Sequence, residues 1–288
     1  MTTLSRIILA PLLVLLLLLG GCSAMQTGYN NAPSLLYWWL DGYIDFNASQ
    51  ADPVRDSLVS LQTWHRREEL PAYATLLQRL QQNAGQDVTP QQACSPLEQA
   101  RGHLQRLGTQ SAMALAPLVA TLDAGQMRHL ARQLEKHDQK WREEWLDGSA
   151  EELLQRRLKR TVDRYEDFYG RLSETQRQYL RQRLSEVGFD ARIVWAERLR
   201  RQQDLLRVLQ EHRDSERPAH VEAELVAWVQ RSFESPDPAT RAYLKGLVEQ
   251  GCQTLAGLHN SSSPEQRRRL AGKLQGYEGD LRALIASR

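Results

Sequence analysis

AEELLQRRLKRTVDRYEDFYGRLSETQ, residues 150–176, is the stretch that decides the fold class. Leu153, Leu154, Leu158, Val162, Tyr165, Tyr169 and Leu172 recur at helical spacing and form one apolar stripe. Arg, Glu, Lys and Asp fill the other faces, and no β-branched run interrupts them. Ser173 is followed three positions on by Gln176. A short hydroxyl side chain with an amide at that offset can satisfy two free N–H groups at a helix start. The stretch therefore reads as one amphipathic helix and the opening of the next.

The same pattern extends in both directions. Start signals stand at Asn47–Gln50, Thr89–Gln92, Ser95–Glu98, Asp123–Gln126 and Ser263–Gln266, with Pro90, Pro96 and Pro264 at first helical positions. Pro238 after Asp237 marks a further start. Helices are expected at 34–45, 48–82, 90–108, 110–121, 124–147, 149–171, 174–212, 218–233, 238–258 and 264–286, with Gly188 as a possible break in the longest. This is an all-α chain: an antiparallel multi-helix bundle of about ten helices with no sheet.

Three of the start signals extend into a longer unit: LDAGQMRHLARQL (122–134), LSETQRQYLRQRL (172–184) and SPEQRRRLAGKL (263–274). Leu130, Leu180 and Leu270 sit four residues after the Gln, and Leu134, Leu184 and Leu274 sit eight after it. Convergent capping on an apolar stripe accounts for most of this, and internal duplication is the alternative. Unequal intervals exclude a regular solenoid.

The amino terminus carries the address. In RIILAPLLVLLLLLGGCSA (6–24), the apolar run Ile7–Leu19 has 13 residues. As a helix it covers about 20 Å, against a bilayer core of about 30 Å. It fits the apolar core of a secretory signal, with Arg6 as its positive flank. Leu19-Gly20-Gly21-Cys22 resembles the lipobox of bacterial lipoproteins. That resemblance implies cleavage by signal peptidase II between Gly21 and Cys22, and acylation of Cys22. Ser23, with no Asp after the Cys, implies sorting to the inner leaflet of the outer membrane, facing the periplasm. Residues 1–21 are then a cleaved leader, 22–32 a flexible tether after the lipidated Cys, and 33–288 a single helical domain. PSLLYWWLDGYIDF (33–46) either lies against the membrane with its aromatics at headgroup level or docks on the core. The absence of Lys and Arg, with Asp41 and Asp45 present, favours docking.

The formal charge is +2, and losing Arg6 with the leader leaves about +1. Such a balance argues against a nucleic-acid partner. Cys94 and Cys252 remain after lipidation, and an oxidising periplasm favours their pairing.

GYNNAPSLLYWWLDGYIDF (28–46), LQTWHRREELPAYATLL (61–77) and residues 140–180 together resemble a proteobacterial family of lipoproteins with a domain of unknown function. The resemblance implies a helical, lipid-anchored envelope protein and no particular activity. Leu172-Ser173-Glu174-Thr175-Gln176 is also similar to the Leu-Thr-x-x-Gln motif of Spy-type periplasmic chaperones, which bind unfolded clients on a helical cradle.

Catalytic patterns are missing from the sequence. The seven His show no His-Glu-x-x-His spacing, so no metal site or cofactor is expected. No nucleophile elbow or phosphate-cradling loop occurs. Adjacent carboxylates such as Glu143 and Glu144 point about 100° apart on a helix and do not converge. Trp141 and Trp145 share a face, as core aromatics or as a ligand platform. The expectation is a non-enzymatic binding or scaffold lipoprotein with an envelope protein partner and no small-molecule substrate. A chaperone-like protein is the alternative.

Overall fold

The computed structural model describes residues 24–287; the leader, the Gly21–Cys22 junction and the lipid-accepting Cys22 lie outside the described residues. Among the described residues there are twelve helices and no strand. They are α1 (Ala24–Asn30), α2 (Ala32–Ile44), α3 (Ala48–Glu68), α4 (Leu70–Asn83), α5 (Pro90–Val119) and α6 (Ala124–Trp145). They continue with α7 (Ala150–Tyr169), α8 (Glu174–Glu186), α9 (Ala191–His212), α10 (Pro218–Phe233), α11 (Pro238–Asn260) and α12 (Pro264–Ala286). None is long and apolar enough to cross a membrane.

Reciprocal capping boxes open α3, α5, α6, α7, α8 and α12, at Asn47, Thr89, Asp123, Ser149, Ser173 and Ser263. Each replaces two lost backbone bonds locally, which is why five of these boundaries could be read from four residues at a time; the Ser149–Glu152 box is not among the start signals above.

Four boundaries differ from expectation. The segment 48–82 divides at Glu69, because Pro71 has no N–H and its ring crowds the carbonyl four residues back. The segments 90–108 and 110–121 join as α5, 30 residues and about 45 Å long. Gly108 sits inside α5, where the absent Cβ would lie 3.0 Å from Val229 Cγ1 of α10. It serves close helix packing there and does not end the helix. The Ser95–Glu98 signal lies inside α5 and starts nothing, since Thr89 has already opened that helix. Residues from Ala24 on, expected as part of a flexible tether, form α1 and the start of α2. Tyr29 Oη lies 3.0 Å from His65 Nδ1, and Arg66 Nη2 donates to Asn30 Oδ1 at 2.7 Å, so the body holds this segment down.

α5 runs through the molecule and packs on α3, α10 and α11, while α12 lies along α4. Three apolar clusters result. The largest joins Ala112, Ala116 and Val119 of α5 to Leu130 of α6, Val208 of α9 and Val221 and Leu225 of α10. A second gathers Val162, Tyr169, Leu172, Leu180 and Leu258. The third is small, built on Ala93, Cys252 and Ala256.

Candidate functional site

Beside each of the two larger clusters, two helix starts face each other across a pair of glutamines. Gln50 Nε2 donates to Gln126 Oε1 at 3.2 Å, and Gln126 Nε2 returns a bond of 2.6 Å to Gln50 Oε1. Gln176 and Gln266 exchange bonds of 3.0 Å in each direction. Each Oε1 also accepts its own N-cap N–H, from Asn47, Asp123, Ser173 and Ser263. Each Nε2 also donates to the carbonyl two residues before the partner's N-cap: Thr121, Asp45, Ser261 and Arg171. An amide offers two donors and two acceptor lone pairs, so all four glutamines are saturated. The fourth unit, at Gln50, has Val54 and Leu58 at the four- and eight-residue offsets, both buried. Val54 in place of Leu hid it among the repeats. These polar knots lock helix pairs together and leave no hydrogen-bonding capacity for a ligand.

The titratable clusters are equally self-contained. Glu69, 1% exposed at the α3–α4 break, receives Arg106 Nε at 2.8 Å and lies 2.5 Å from His103 Nδ1. Burial alone would raise its carboxyl; the hydrogen bonds from Arg106 and His103 outweigh that and hold it below the usual range. Tyr73 beside it is pushed up to about 12 by burial and by the Glu69 charge. Glu197 takes Arg200, Arg201 and the Ser235 hydroxyl, tying α9 to the α10–α11 turn. Tyr169 Oη lies 2.9 Å from His259 Nδ1, and His259 Nε2 lies 2.8 Å from the Gln86 carbonyl. A carbonyl only accepts, so Nε2 carries the proton and Nδ1 accepts from the tyrosine. Burial lowers the His259 pKa, which keeps that tautomer neutral. His129 and His137 turn to different partners, the Gly42 carbonyl at 3.1 Å and the Tyr43 ring at 5.3 Å. The described residues contain no group of His, Cys, Asp or Glu placed to hold a metal ion.

Cys94 and Cys252 are joined as a disulfide with Cα atoms 5.2 Å apart, linking α5 to α11 inside the third cluster. Trp141 and Trp145 stack at 6.1 Å, and Trp141 also stacks on Trp195 at 5.2 Å, a third member that sequence spacing could not supply.

Two surfaces keep unspent capacity. One is the outer face of α2. Its inner side docks: Tyr43 and Ile44 pack against the largest cluster, and the Arg55 guanidinium lies 4.0 Å over the Tyr37 ring. The outer side leaves Leu35, Leu36, Trp38 and Trp39 exposed, Trp38 at 76%. The helix does dock on the body, and it also presents a bare aromatic face, because its apolar residues outnumber what one docking side covers. The second surface is a cleft of about 630 Å³ between the end of α6, the start of α7 and the α8–α9 turn.

The sequence model of a family of unknown function (DUF6279) matches residues 42–231, and the chain belongs to that family. No curated protein and no solved structure matches the chain.

Proposed function

We propose that this DUF6279 protein is a non-catalytic lipoprotein of the outer membrane, anchored at Cys22 on the periplasmic side, whose helical body lies against the bilayer and binds another envelope component. The observation that carries this reading is the exposed Leu35–Leu36–Trp38–Trp39 face on a helix fixed close to the anchor. From Cys22 to Ala24 the chain spans at most about 7 Å, and α1 adds about 10 Å. The Tyr29–His65 contact fastens that segment to α3, so the body has no slack with which to stand away from the lipid. Trp rings on such a face suit the headgroup layer, where an apolar body and a polar N–H are both accommodated. The lipobox residues support the anchor, and the self-satisfied carboxylates and histidines support a binding role over catalysis.

A second reading, a chaperone-like protein for unfolded clients, draws on Leu172–Gln176, which is similar to the Spy-type motif. In this chain the glutamines are spent inside the fold, which favours the first reading. In-cell crosslinking of the native lipidated protein, followed by mass spectrometry, separates the two. One or two captured proteins at near-stoichiometric yield would support the accessory role. A broad spread of unrelated exported proteins would overturn it in favour of the chaperone.

A further inference from the structure

The cleft between α6, α7 and the α8–α9 turn contains a charge that the fold leaves unanswered. Its apolar wall is made by Trp145, Phe189, Leu153 and Leu154, with the Trp145 and Phe189 rings 5.9 Å apart. Four arginines line it: Arg156, Arg157, Arg160 and Arg192. Arg156 is spent on the end of α6, donating to the carbonyls of Glu143 at 2.7 Å and Glu144 at 3.3 Å. Arg160 pairs with the Glu144 carboxylate and lies 4.9 Å over the Trp145 ring. Arg157 and Arg192 form no ion pair among the described residues. Arg157 is half-buried, its guanidinium 4.3 Å over the Phe189 ring. The other carboxylate in the cleft, Asp190, is occupied as the cap of α9, accepting the Arg192 backbone N–H at 2.8 Å.

Desolvating a cation without a counter-charge is costly, and a ring face offsets part of that cost. Burial accordingly pushes the Arg157 guanidinium down. The starts of α7 and α9, at Ala150 and Ala191, also border the space, but Glu151, Glu152 and Asp190 already meet those helix ends, so the arginines carry the case. An anion placed beside Arg157 would relieve the desolvation cost that the Phe189 ring offsets only in part.

We propose that this cleft binds an amphipathic organic anion: a carboxylate or similar head group on Arg157 and Arg192, with an aromatic or aliphatic body between Trp145, Phe189 and the Leu153–Leu154 edge. The volume suits a small ligand. The proposal does not depend on membrane apposition and concerns a different set of residues.

The test is calorimetric titration of the purified native lipidated protein, held in phosphatidylcholine nanodiscs, with 4-phenylbutyrate. Acetate and 4-phenylbutanol serve as the head-only and body-only probes. Saturable binding of the acid is expected, at least tenfold tighter than either control. Arg157→Met should weaken it by at least tenfold, Arg157→Lys should retain part of it, and Leu153→Trp should block it. Without ligand, Arg157→Met should melt higher than the parent, the opposite of what a structural arginine would give. Equal binding of acid and alcohol would reduce the cleft to an apolar dent, and equal binding of acetate would reduce it to an adventitious ion site. Either result overturns the proposal, as does full binding in Arg157→Met. If that variant fails to fold, Arg192→Gln and Leu153→Trp carry the same test, and undiminished binding in both overturns the proposal.

Discussion

Gln176 and Gln266 stand 90 positions apart, and each donates a 3.0 Å hydrogen bond to the other's side-chain carbonyl. Gln50 and Gln126, 76 apart, do the same beside the largest apolar cluster. Both pairs use their remaining capacity in an identical way, on their own N-cap N–H and on the carbonyl two residues before the partner's cap. Each pair therefore fixes the mutual angle of two helix starts as well as closing their ends.

Removing one member strands the other. Gln266→Leu is expected to destabilise the fold by about 1–3 kcal/mol, the cost of leaving the buried amide of Gln176 without its partner. The double variant Gln176→Leu with Gln266→Leu should cost clearly less than the two single changes added together. Urea unfolding of the three variants measures both quantities, and strict additivity would show that the pair is not coupled.

Acid should destabilise the protein in two stages. Burial is the main cause that lowers His65 and His259 below their ordinary 6.5. The unfolded chain then binds more protons than the folded one just below pH 6.5. The stability these histidines confer is complete above pH 6.5 and is lost as pH falls through their folded values. Glu69, also held low, contributes stability that is complete above its ordinary 4.5 and is lost at still lower pH. Melting temperature against pH should show both slopes. His259→Gln should flatten the upper slope and Glu69→Gln the lower one.

The disulfide closes a loop with a sequence separation of 158 residues. On the chain-entropy account, its loss should cost up to about 5 kcal/mol. Cys94→Ser with Cys252→Ser, compared with the parent under oxidising and reducing conditions, should reproduce the effect of reductant. A parent that melts at the same temperature with and without reductant would show that the link contributes nothing.

Two glycines within α11 should respond in opposite directions. A Cβ at Gly257 would run into the Tyr179 hydroxyl and ring, whereas one at Gly246 meets nothing within 4 Å. Gly257→Ala should therefore destabilise by about 1–3 kcal/mol. Gly246→Ala should stabilise by about 0.5–1 kcal/mol through helix propensity alone. Thermal melts of the two variants test the contrast, and Tyr179→Leu should recover part of the Gly257→Ala loss.

Local chemistry was legible in the sequence, and distance was not. A capping box is complete within four residues, so Asn47, Asp123, Ser173 and Ser263 could be recognised as helix starts. That their glutamines meet in pairs depends on packing contributed by residues far along the chain. The α3–α4 break at Pro71 was written in the sequence, but the strong helical period on both sides masked it. The expected boundary between 108 and 110 is absent because α5 is continuous there, with Gly108 admitting Val229 from α10. The polar composition of residues 23–32 suggested slack, whereas the partner that orders Tyr29 is His65, on another helix. The arginine cleft combines the end of α6, the start of α7 and the α8–α9 turn, and no single window of sequence contains it.

The most direct test of membrane apposition is tryptophan fluorescence of the lipidated protein on vesicles containing brominated phosphatidylcholine. The parent should be quenched relative to plain vesicles. Trp38→Phe with Trp39→Phe should lose most of that quenching, since these are the two tryptophans among the exposed large apolar side chains of the described residues. Equal quenching in parent and variant, or none in either, would contradict the account and leave the body standing clear of the bilayer.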